Sequence, residues 1–144
     1  MKDIRIDCYD GAYGPTIRFV IASPQGLERV REMFMRFLKS THAVVEWMHE
    51  PLIVASNIVR LTMRGQKGGT NSAKTLIRTS NGEFDWFLST SASARLIGLV
   101  DGLESCGHGH QYLTSEGIDD ALVILSYKER ENMAPAATGG GIAS

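Results

Sequence analysis

Polar and apolar positions alternate from the start of the chain. Over residues 3–9, Ile4, Ile6 and Cys8 fall on one side, and Arg5, Asp7 and Tyr9 on the other. A period of two predicts a strand with one face turned inward. Residues 10–15 are rich in turn formers, and 16–22 read as a second strand, antiparallel to the first. The pattern then switches to helical spacing. Ser23-Pro24 supplies a capping hydroxyl and a proline at a position that needs no N–H. Leu27, Val30, Phe34, Phe37 and Leu38 follow as an apolar stripe. On the opposite face Glu28 can pair with Arg31, and Glu32 with Arg36.

Residues 41–51 fit either a continued helix or a short strand, ended by Pro51. Residues 52–64 read as one strand, cleanest where Val59, Leu61 and Met63 oppose Arg60, Thr62 and Arg64. Asn81-Gly82 lies between two β-rich runs and predicts a two-residue type I′ turn. That turn sets Thr79 opposite Phe84, Ile77 opposite Trp86, Leu76 opposite Phe87 and Arg78 opposite Asp85. A second helix is expected over roughly 91–105, capped from Ser89-Thr90-Ser91 and closed by Gly107 or Gly109. Its stripe is Leu96, Leu99, Val100 and Leu103. Gly98 and Gly102 share a helix face at a cost in propensity, which suggests close packing there. Residues 110–114 fit a short strand, and 121–127 are apolar on both faces, as in a central strand.

This order predicts an α+β domain of two layers. A largely antiparallel sheet of six to seven strands would carry two amphipathic helices on one face. The domain is expected to span 1–131. Residues 132–144 are rich in Ala and Gly, bury little, and read as a mobile tail. No internal sequence repeat and no heptad array is present.

Composition narrows the function classes. Fifteen Lys+Arg against sixteen Asp+Glu give a formal charge of −1, which removes the strong electrostatic case for nucleic acid or an anionic membrane. No apolar run approaches the roughly 18 residues that span a bilayer. The first residues read as a strand rather than a signal peptide. Two cysteines are too few for a disulfide scaffold, so Cys8 and Cys106 are expected as thiols in the cytoplasm.

Several groupings invite chemistry. Cys106, His108 and His110 alternate, so in extended backbone they would share a face. A thiolate with two imidazoles suits zinc or copper. The plainer reading is a turn, because both spacers are glycine where a helix needs its cap. A Cys106–His nucleophile pair would need partners that meet across the fold, which close neighbours rarely do. The segment from Gly68 through Lys74 and Thr75 has Walker A spacing, with Ala73 at the second glycine. A hairpin follows it where a phosphate loop needs a helix. His42, Glu46, His49 and Glu50 would share a solvated face if helical. Trp47, Phe84, Trp86 and Phe87 read as core before pocket. Arg60, Arg64, Lys67 and Lys74 gather near one hairpin as a weak basic patch.

Gly109-His110-Gln111-Tyr112-Leu113, followed by 122–129 with its Ser126-x-x-Glu129 ending, resembles a group of small bacterial proteins. Those proteins carry a Gly-His-Gln-Tyr-Leu segment before the last strand. The resemblance implies a bacterial, cytoplasmic setting and no particular activity. His110, Gln111 and Tyr112 each end in a hydrogen-bonding tip and form the candidate binding group.

The reading favours binding over catalysis, with no catalytic residues and no cofactor. The expected partner is another protein or a second copy of the chain in a homodimer. Met33 and Met35 lie off the main helical stripe and suggest a second apolar face for that contact. The alternatives are a zinc- or ligand-dependent site at Cys106, His108 and His110, and a regulatory or toxin-neutralising partner protein.

Overall fold

The computed structural model describes residues 3–12, 14–40, 42–66, 75–114 and 118–129. The first two strands, β1 (Ile4–Gly11) and β2 (Gly14–Ile21), form the expected hairpin, with Ile6 opposite Phe19 and Cys8 opposite Ile17. Helix α1 (Pro24–Lys39) begins where Ser23 accepts a hydrogen bond from Gly26 N–H. The ambiguous stretch resolves into a short strand, β3 (Val44–Glu46), and one 3-10 turn at Trp47–His49. It is therefore not the continuous helix that would align His42, Glu46, His49 and Glu50.

The expected single strand over 52–64 is two: β4 (Ile53–Ser56) and β5 (Arg60–Gly65). Asn57 between them has φ 61°, a left-handed conformation that asparagine tolerates better than most residues. The break sends the two strands to different sheets. β6 (Leu76–Ser80) and β7 (Glu83–Leu88) follow, then α2 (Thr90–Cys106), β8 (Gly109–Tyr112) and β9 (Leu122–Tyr127).

The architecture is α+β, with two mixed sheets in place of one largely antiparallel sheet. The five-stranded sheet runs β4-β1-β2-β9-β8, and the four-stranded sheet runs β3-β5-β7-β6. β1 with β4, β2 with β9, and β5 with β7 are parallel. Hydrophobic alternation reveals hairpins because their partners adjoin in sequence. It does not reveal parallel junctions between strands dozens of residues apart.

The chain has no sequence repeat, yet its topology repeats. Each half runs hairpin, helix, closing pair: β1-β2-α1-β3/β5 and β6-β7-α2-β8-β9. The closing pair of each half crosses to the other half's hairpin, joining it by the parallel contact. The segment between the closing strands then returns to its own hairpin's edge. In the first half this is β4 along β1, with Ile4 N–H donating to Leu52 C=O. In the second it is Asp119-Asp120 along β6. Asp120 N–H donates to Leu76 C=O, and Asp119 Oδ1 accepts from Thr75 N–H at 2.6 Å and Leu76 N–H at 2.9 Å.

One core joins both sheets and both helices. Phe19, Trp47, Phe34 and Trp86 make an edge-to-face chain through it, with centroids 5.0, 6.4 and 5.9 Å apart. Trp47, Trp86 and Phe84 are buried, so they are core residues. Met33 is fully buried, and Met35 packs against the core, its sulfur receiving Arg31. α2 packs against α1, joined by Arg31–Asp101 at 2.7 Å. The apolar surface that suggested an outside partner therefore faces the fold's own interior.

Three further expectations are corrected. A bulge at Thr79 shifts the β6–β7 register, so Leu76 lies opposite Trp86, Ile77 opposite Asp85 and Arg78 opposite Phe84. Asp85 pairs instead with Arg60 at 2.6 Å and Arg64 at 3.5 Å, and Glu83 pairs with Arg60 at 3.3 Å, so two carboxylates offset these two arginines on the sheet. On α1, Arg29 reaches Glu32 and Glu50 in place of the Glu28–Arg31 and Glu32–Arg36 pairs. Gly98 and Gly102 face open space, where an added Cβ would meet nothing within 4 Å. No helix among the described residues is long and apolar enough to cross a membrane. Most of the Gly-rich loop, and the tail over 132–144, lie outside the described residues. Thr75 leads directly into a strand, not into the helix a phosphate loop requires.

Candidate functional site

The segment after α2 is built by two glycines. Gly107 has φ 90° and closes the helix, its N–H donating to Leu103 C=O at 2.8 Å. Gly109 has φ 129°. Side chains there would be strained, so both positions need glycine. The same two dihedrals break the extended backbone on which a shared Cys106-His108-His110 face depends. Cys106 ends the helix and is exposed, His108 is exposed in the turn, and His110 enters β8. Among the described residues, no three His, Cys, Asp or Glu side chains are grouped to hold a metal.

His110 belongs to a different group. β8 pairs with β9 so that His110 faces Ser126 and Tyr112 faces Ile124, on the outer face of the sheet. Gln111 points to the inner side, opposite Leu125. Beyond β9, Lys128 has φ 53° and its N–H donates to Ile21 C=O. That turn brings Glu129 back over the outer face. His110 Nδ1 lies 2.7 Å from Glu129 Oε2. A carboxylate only accepts, so Nδ1 carries the proton in this contact. Arg18 of β2 completes the cluster. Its Nε donates to Ser126 Oγ at 3.0 Å, and its guanidinium lies 3.7 Å from Glu129 Oε1.

The cluster fixes His110 rather than arming a nucleophile. Ser126 is fully buried under its neighbours, out of reach of any substrate. Glu129 is 11% exposed, while the His110 side chain is 47% exposed and rests edge-on against Tyr112, 5.7 Å between centroids. Tyr112 itself is 55% exposed. The outcome is an oriented imidazole and a phenol side by side on a strand.

β8 is also a sheet edge. Leu113 N–H donates to Val123 C=O at 2.7 Å. In an antiparallel ladder such pairs alternate, so the N–H and C=O groups of His110 and Tyr112 point away from β9. Sequence reasoning found His110 and Tyr112 but missed Arg18 and Glu129. The three-residue spacing of Ser126 and Glu129 was a usable signal. Arg18, 108 residues from Ser126, left none.

Comparison of the chain with models of known protein families, with curated proteins and with solved structures finds no match.

Proposed function

We propose that the protein acts by binding, and that the open edge of β8 pairs antiparallel with β8 of a second copy. The observation that supports this most directly is the outward-facing backbone of His110 and Tyr112 on an edge that no strand covers among the described residues. Unpaired edge groups are templates for strand addition. A two-fold pairing centred between these residues sets His110 of one chain opposite Tyr112 of the other. It makes about four backbone hydrogen bonds, each worth about 1 kcal/mol net. The association is therefore weak and concentration-dependent. In this reading the Glu129 and Arg18 contacts hold the imidazole ready as a side-chain determinant. The cytoplasm is the compartment assigned, because both thiols, Cys8 and Cys106, are free.

Light scattering across a protein concentration series tests the proposal. The mass should rise toward twice that of the monomer. Tyr112→Pro removes one outward N–H without touching a bond to β9, and should hold the protein monomeric. Tyr112→Ala, which keeps the N–H, should retain most of the dimer. A constant monomer mass, or a dimer untouched by Tyr112→Pro, overturns it.

A further inference from the structure

The inner faces of the two sheets part at their turn ends. Ile4 and Ile6 are buried, but the next two inner positions of β1, Cys8 and Asp10, reach a cleft of about 480 Å³. That lies within the roughly 300–1,000 Å³ typical of small-molecule sites. Val59, 68% exposed despite its size, and Pro15 give it an apolar wall. Arg78, on the inner row of β6 opposite Phe84, lines the other side.

Two opposite charges face this space without being spent on each other. Arg78 is held in place: its backbone N–H donates to Asp120 at 2.8 Å, and Nη2 donates to Asn81 Oδ1 at 2.7 Å. Its guanidinium stands 6.0 Å from the Phe84 ring centroid. A guanidinium offers five N–H groups, so most of its donors remain for a ligand. The Asp10 carboxylate is exposed and makes no hydrogen bond or ion pair among the described residues. Both charges act on the Cys8 thiol between them. Burial pushes that thiol up from its ordinary pKa, Arg78 pulls it down and Asp10 pushes it up. Cys8 is thus mainly the protonated thiol at neutral pH, and its small thiolate fraction makes its alkylation slow enough to follow.

We infer that this cleft binds a free α-amino acid with an apolar side chain, its carboxylate on Arg78, its ammonium on Asp10 and its side chain against Val59 and Pro15. Neither an anion alone nor an amine alone uses both charges. The cleft opens at the turn end of the β1–β2 hairpin. The His110 cluster lies at the other end of the sheet and on its opposite face, so the two sites are independent.

Cys8 serves as the reporter. In a Cys106→Ser background it is the sole thiol, and its alkylation by iodoacetamide can be followed by mass spectrometry. L-leucine or L-phenylalanine should slow the reaction several-fold. N-acetyl-L-leucine, lacking the ammonium, and isoamylamine, lacking the carboxylate, should leave it unchanged at the same concentration. Arg78→Gln and Asp10→Asn, both at exposed positions, should each abolish the protection while circular dichroism stays native. Absence of protection by either amino acid overturns the inference. So does equal protection by either truncated analogue, or protection that survives both substitutions.

Discussion

Gly98 and Gly102 sit on the open side of α2, with nothing for a methyl group to strike. Glycine within a helix gives up roughly 0.5–1 kcal/mol relative to alanine, through the extra freedom of the unfolded chain. Gly98→Ala and Gly102→Ala should therefore each raise stability by about that amount, read as a higher melting temperature. A fall at either position would mean that something packs on this face. Gly107 and Gly109 are the contrast, since their positive φ makes the same change destabilising. Identical residue types, a few positions apart, thus have opposite substitution signs. Only the backbone separates them, which explains why close packing at Gly98 was the wrong expectation from spacing alone.

At the scale of elements, the edges decide what is exposed. β6 is closed by Asp119, whose Oδ1 also receives the Thr75 hydroxyl at 3.1 Å. Asp119→Ala should strip the hydrogen bonds from Thr75 N–H, the Thr75 hydroxyl and Leu76 N–H, leave two backbone N–H groups without their acceptor, and cost about 2–3 kcal/mol. Urea unfolding reads this directly, and Asp119→Asn should recover part of the loss. The sequence showed the two hairpins and both helices because their signals are local: Asn81-Gly82, Ser23-Pro24, Ser89 and the apolar stripes. It hid the Thr79 bulge, because only burial of Leu76 against Trp86 and Phe84 distinguishes that register from the regular one. It hid the split at Asn57 because apolar residues continue on both sides. Half of the candidate site was legible for the same reason, with His110 and Tyr112 in one short segment. Arg18 was not, since a parallel junction brings it there.

On the scale of the whole molecule, the two halves exchange their closing strands. Neither sheet is complete within one half, because β2 needs β9 and β7 needs β5. Residues 1–70 and 71–144, produced as separate chains, should each be unfolded by circular dichroism. Mixed, they should regain the native spectrum. A half that folds cooperatively by itself would show that the exchange is not what holds the sheets. The exchange also governs when the molecule can form. β9, the last strand described, is an interior strand of the five-stranded sheet, between β2 and the edge strand β8. During synthesis the ribosome delivers β2 more than a hundred residues before its neighbour. Until β9 emerges, β2 presents a bare apolar flank, and pairings this distant form slowly. The nascent chain is most vulnerable to aggregation in that interval, and a message truncated before residue 122 yields a product with no strand to join β2 to β8.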